Sequence, residues 1–241
     1  DVTQAAVASE IAGKLYGLKV LEPSINYNKN NATRFIILAK DPVYQKEKLR
    51  LTGWQLTKAL ESWAWDGCNG EPAKVEVYAR AAQVELFING KSVGKKKVKK
   101  CRANFNTTYQ DGEITAVSYD ENGKEINRYS LQTAGKDTVL QVRPEEKTVK
   151  PEGLAFIQLQ YTDSKGIWKP MEKHNIKVTV ENGVLKGLGS PAPYVKGNYT
   201  DHTVATYYGE AMAVVQADGN GPVKVTVADE ERFYVAEIPC E

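Results

Sequence analysis

The pair Asn89-Gly90, set between Val84-Glu-Leu-Phe-Ile88 and Lys91-Ser-Val-Gly94, constrains this chain more than any other feature. A two-residue hairpin turn of type I′ needs positive φ at both central positions, and Asn-Gly meets that need at least cost. The flanking residues alternate: Val84, Leu86 and Ile88 against Glu85 and Phe87. Period-two alternation places one set of side chains on a core face and the other toward solvent. The local rule is therefore an antiparallel hairpin with one buried face.

The same pattern recurs downstream. Val75-Glu-Val-Tyr78 alternates, and a second Asn-Gly, Asn122-Gly123, separates apolar-rich runs over residues 114–119 and 124–131. Six or seven strands fit between residues 73 and 132, the size of one immunoglobulin-like sandwich. Residues 133–137 form a polar, glycine-bearing junction. Beyond it, residues 156–161, 176–180, 211–216 and 223–227 read as further strands, with glycines at 183, 187, 189, 219 and 221 as punctuation. A second sandwich is expected there. The fold class is mainly β: two tandem immunoglobulin-like β-sandwiches with a short N-terminal helix-loop-strand segment.

That N-terminal segment has a different texture. Val7, Ile11, Leu15 and Leu18 lie at helical spacing, Asp1 with Gln4 suits a cap, and Gly17 suits a stop. Residues 24–31 have loop composition, and residues 34–39 read as a buried strand. A helix and one strand cannot bury their apolar sides alone. The segment is expected to dock on a sandwich or a neighbouring chain, with Val7, Ile11 and Leu15 covered.

Composition removes several function classes. The 241 residues carry 32 basic and 30 acidic side chains, a formal charge of +2, too small to favour nucleic acid or an anionic membrane. Apolar runs are strand-sized, so no membrane span is expected. No signal peptide is visible, and a cytoplasmic location is favoured. Cys68, Cys101 and Cys240 are odd in number and lack CxxC spacing. With only His174 and His202 beside them, no metal or other cofactor is expected. The lysine-rich stretch 91–102 reads as a charged edge strand that discourages strand-to-strand aggregation. Asn31, Asn106 and Asn198 each precede x-Thr, for which chance occurrence is the default reading.

Longer motifs suggest ancestry. Glu47-Lys-Leu-Arg-Leu-Thr-Gly-Trp54, Ser62-Trp63-Ala-Trp65 with Gly67 and Gly70, Glu76-Val-Tyr78, Glu85-Leu-Phe-Ile-Asn-Gly90 and Leu131-Gln-Thr-Ala-Gly135 occur in a characteristic order. From about residue 42 onward this order resembles the C-terminal β-sandwich region of glycoside hydrolase family 2, β-galactosidase type. The resemblance implies a parent that hydrolyses β-linked sugars with two glutamates on a catalytic barrel, about 5 Å apart for a retaining mechanism. No matching acidic motif occurs here. Glu61, Asp66 and Glu76 are expected on solvated faces. The expected partner is the barrel or a neighbouring chain, with carbohydrate as a further one. Trp54, Trp63 and Trp65 are the candidates for contact: anchors against the barrel, or a platform for a sugar ring. Without a barrel, either role leaves an exposed apolar patch.

Residues 1–41 resemble a different family. Gln4-Ala-Ala-Val-Ala-Ser9, Leu15-Tyr-Gly-Leu18 and Asn30-Asn-Ala-Thr-Arg-Phe35 are similar to the end of a prephenate dehydratase catalytic domain. That resemblance implies Thr33 as a catalytic hydroxyl, with Arg34 and Phe35 shaping the site. The rest of such a domain is missing, and chemistry needs several positioned groups.

The expected organisation is a dehydratase-like fragment over 1–41, a lead-in with the tryptophan pair over 42–72, and sandwiches over 73–135 and 136–241. Three readings follow: a non-catalytic accessory region of a family 2 hydrolase, a carbohydrate-binding module, or a prephenate dehydratase-related protein with an incomplete site.

Overall fold

The computed structural model describes residues 36–40, as backbone, together with 59–192 and 197–241. Every regular element among the described residues is a β-strand. The helix expected around Val7 to Leu18, and its proposed docking, lie outside the described residues. The described residues divide into two compact units at Ala134/Gly135.

The first unit contains β1 (Ile36–Lys40), β2 (Ala59–Leu60), β3 (Pro72–Tyr78), β4 (Gln83–Ile88), β5 (Lys91–Lys97), β6 (Arg102–Thr108), β7 (Glu113–Tyr119) and β8 (Glu125–Gln132). They form two antiparallel four-stranded sheets, ordered β2-β1-β3-β6 and β5-β4-β7-β8. Val75 and Val77 on β3, Val84 and Leu86 on β4, and Ile114 and Ala116 on β7 are fully buried. Burial of each larger apolar side chain contributes ~1.5–3 kcal/mol. The alternation of β4 decides which of its residues enter this core, so register follows directly from pattern.

The two Asn-Gly turns differ. Asn89 and Gly90 have φ of 50° and 75°, the expected I′ turn. At the second, only Gly123 is left-handed, with φ of 80°. Asp120 reshapes this connection: its Oδ1 accepts the amides of Asn122 at 2.9 Å and Lys124 at 2.8 Å. The aspartate offers the backbone a local alternative to the I′ geometry. A tight turn at Lys100-Cys101, with φ of 50° and 60°, joins β5 to β6 without a glycine. All three cysteines are free.

The second unit contains β9 (Val139–Pro144), β10 (Leu154–Thr162), β11 (Asn175–Glu181), β12 (Gly183–Gly189), β13 (Thr203–Ala205), β14 (Glu210–Ala217), β15 (Val223–Ala228) and β16 (Phe233–Ile238). Its sheets are β12-β14-β10-β9 and β13-β11-β15-β16, again antiparallel. Ile157, Leu159, Tyr161 and Val215 from the first meet Ile176, Val178, Val225 and Val227 from the second in one core.

The glycines at 183, 187 and 189 are not punctuation: they lie within β12. This edge strand pairs with β14 through a register shift between Leu185 and Gly187. A Cβ on Gly183 would sit 2.5 Å from the Gln216 carbonyl oxygen. Close backbone approach, rather than a turn, explains this glycine.

Candidate functional site

The tryptophan pair is built into the first sandwich. Trp63 and Trp65 are 1 % and 0 % exposed, so neither ring forms the surface patch expected of a platform or a vacated barrel contact. Tyr109, just beyond β6, explains why. Its ring lies 4.8 Å from that of Trp63, inclined by 53°. The Trp65 amide donates to the Tyr109 hydroxyl at 3.2 Å, and that hydroxyl lies 3.3 Å from the Trp63 carbonyl. Thr133 donates to the same carbonyl at 3.0 Å, and Trp63 Nε1 donates to the Gln110 carbonyl at 3.0 Å. Trp65 Nε1 is buried and has no hydrogen-bond partner among the described residues. Burial pushes the Tyr109 phenol up to about 12, keeping it a neutral donor and acceptor.

Tyr109, Gln110 and Thr133 escaped the sequence reading because nothing local marks them as partners of residues 63–65. Trp54, Thr33, Arg34 and Phe35 lie outside the described residues.

The acidic residues need a correction. Asp66 is exposed, but Glu76 is only 5 % exposed and accepts the Tyr78 hydroxyl at 2.8 Å. Glu61 accepts the Tyr129 hydroxyl at 2.6 Å. Burial, reinforced by the Glu61 carboxylate, raises the Tyr129 phenol above its ordinary range. Both carboxylates hold tyrosine hydroxyls.

The lysines of β5 lie on an edge strand. Lys95 Nζ sits 3.4 Å above the Tyr119 ring centroid, and Lys96 Nζ donates to the Asn104 carbonyl at 2.7 Å.

In the second sandwich, a polar cluster surrounds Tyr161. Its hydroxyl donates to Asp229 Oδ2 at 2.8 Å, and its ring lies 4.4 Å from His174. His174 Nε2 is 2.7 Å from Glu172, whose other oxygen meets Lys169 Nζ at 2.9 Å and the Thr138 hydroxyl at 2.8 Å. Burial works to raise the Glu172 carboxyl, but these three partners overcome it and hold it at about 2. Lys169 Nζ also donates to the Asp137 carbonyl at 3.0 Å, which ties the network to the segment before β9. Glu210 differs: burial pushes it up to about 7, only Gln160 donates to it, at 2.7 Å, and Oε2 has no partner among the described residues. No group of three His, Cys, Asp or Glu among the described residues could hold a metal ion.

Comparison with known proteins finds likenesses for both units. Residues 140–232 match the model for glycoside hydrolase family 2 C-terminal domain 5. The chain is 28% identical over 207 residues to the β-galactosidase BoGH2A of Bacteroides ovatus, covering 83% of this chain and 24% of that protein. Both sandwiches are thus similar to the C-terminal region of glycoside hydrolase family 2 proteins. Residues 70–127 match a further model, described as a domain of unknown function (DUF4982). A family 2 member from Bacteroides cellulosilyticus shares the fold at a TM-score of 0.78 and 24% identity, over 88% of this chain and 29% of that one. The chain thus spans about a quarter of its β-galactosidase relative. Residues 1–43 match the prephenate dehydratase model. There, a bifunctional chorismate mutase/prephenate dehydratase of Buchnera aphidicola is 50% identical over 42 residues, 17% of this chain and 11% of that protein.

Proposed function

We propose that this chain is a non-catalytic C-terminal accessory region of a β-galactosidase-like glycoside hydrolase, supporting a catalytic barrel or bordering its cleft. The match of residues 140–232 to a family 2 C-terminal domain carries this reading. Four of the described carboxylates are engaged within the chain. Glu61, Glu76, Glu172 and Asp229 each accept a bond from a side chain of the chain itself. Cleavage of a glycosidic bond instead needs an acid and a nucleophile free to reach the anomeric centre. The buried tryptophans act as internal anchors that tie residues 63–65 to the sandwich.

Two assays test the reading. The purified chain should release no p-nitrophenol from p-nitrophenyl β-galactoside; turnover would overturn it. Mixed with a family 2 β-galactosidase barrel lacking its own C-terminal sandwiches, the chain should raise the barrel's thermal midpoint. An unchanged midpoint together with saturable heat on titrating galactosides would favour a carbohydrate-binding module. Turnover of prephenate would favour the dehydratase-related alternative.

A further inference from the structure

The sheet β2-β1-β3-β6 is completed by a strand whose sequence falls in the prephenate dehydratase match. β1 lies within residues 1–43, which match prephenate dehydratase, and outside the segments matching the two sandwich-domain families. It nevertheless runs antiparallel to β3 in a continuous register: Ile36 with Tyr78, Ile37 with Val77, Leu38 with Glu76 and Ala39 with Val75. On its other side Ala39 and Lys40 pair with Leu60 and Ala59. The opposite edge of β3 is occupied by β6 over seven positions.

β3 is a core strand by burial. Val75 and Val77 are fully covered, and Glu76 on the opposite face is nearly so. Without a neighbour beyond β3, its outward amides and carbonyls would form an open edge beside a packed core. Such an edge is a template for any extended segment. Main-chain hydrogen bonds supply most of the attraction and do not read side-chain identity. A strand whose sequence matches a different family can therefore complete the ladder.

We propose that the β3 edge of the first sandwich is a strand-acceptor site for an extended peptide of four to five residues, held antiparallel to β3. Its occupant in this chain is Ile36–Lys40. The site stands on backbone pairing and is independent of the accessory role proposed above.

Amide hydrogen exchange on the full chain tests this. In the unaltered protein, residues 36–40 should exchange with the β3 amides that face them, far more slowly than a free peptide. Exchange of residues 36–40 at the free-peptide rate overturns the proposal without any variant. Leu38→Pro removes a ladder donor and should accelerate exchange of the β1-facing amides of β3 by about tenfold or more, leaving β4 and β7 protected. An acetylated peptide of residues 34–40 added to this variant should restore protection. Unchanged protection in Leu38→Pro, or a folded variant that the peptide fails to protect, sinks the acceptor site.

Discussion

Tyr109 and Trp63 are 46 residues apart in the chain, yet their tilted rings meet with centroids 4.8 Å apart and the Tyr109 hydroxyl donates to the Trp63 carbonyl at 3.3 Å. One phenol thereby fixes the entry segment of the first sandwich. It also turns both tryptophans inward, where no sugar can stack on them.

Tyr109→Phe should keep the ring contact and lose the hydroxyl. The Trp65 amide then has no acceptor at that position. The expected loss is about 1–3 kcal/mol of stability, because a buried donor left unpaired costs its desolvation. Urea unfolding, followed by tryptophan fluorescence, measures it.

The two tryptophans should respond differently to phenylalanine. Trp63→Phe breaks the bond from Nε1 to the Gln110 carbonyl, whereas Trp65→Phe removes a buried N–H that has no partner among the described residues. Trp63→Phe is expected to be the more damaging by about 1 kcal/mol. Equal losses would mean that ring volume alone matters at both positions. Neither change should alter the response to added galactoside.

Glu210 and Glu172 should shape opposite ends of the pH profile. The Glu210 carboxyl is raised to about 7, so its contribution is fully present below its unfolded value of 4.5 and is lost as pH rises toward 7. Glu210→Gln should therefore gain on the native chain by about 2–3 kcal/mol at pH 8 and by little at pH 4. Glu172 is depressed to about 2, so its contribution is present above 4.5 and lost as pH falls toward 2. Glu172→Gln should flatten the acid limb instead. Denaturant midpoints between pH 3 and 8 distinguish the two, and parallel curves for both variants would contradict these assignments.

Gly183→Ala should destabilise more than Gly189→Ala. The added methyl meets the Gln216 backbone oxygen at 2.5 Å in the first case and the exposed Tyr199 ring at 2.8 Å in the second. A carbonyl within a ladder cannot swing aside, while Tyr199 can. Overpacking of the first kind costs about 1–3 kcal/mol. Thermal midpoints of the two variants measured side by side give the comparison.

Strand positions were legible where side-chain period and turn chemistry agree, as in β4, Asn89-Gly90 and β5. β12 was not legible, because Gly183, Gly187 and Gly189 carry no apolar alternation and are placed by how closely the chain passes Gln216 and Tyr199. The second Asn-Gly does join β7 to β8, but its turn geometry was not legible because Asp120 supplies a competing set of bonds. Glu76 looked solvent-facing because its neighbours alternate correctly. Its actual cover depends on what pairs and packs against β3.

The sequence by itself determined the two-sandwich β architecture, most of its strands, the I′ hairpin and the kinship with family 2 hydrolases. These rest on interactions within a few residues or on motifs read in order. Only the tertiary structure decided that Trp63 and Trp65 point inward, that Glu172 and Glu210 sit in opposite electrostatic settings, and that Ile36–Lys40 completes the sheet beside β3. Trp63 with Tyr109, Glu172 with Thr138, Glu210 with Gln160 and Ile36–Lys40 with β3 join residues dozens of positions apart, and a local pattern can announce a strand or a buried face without naming the distant partner that meets it.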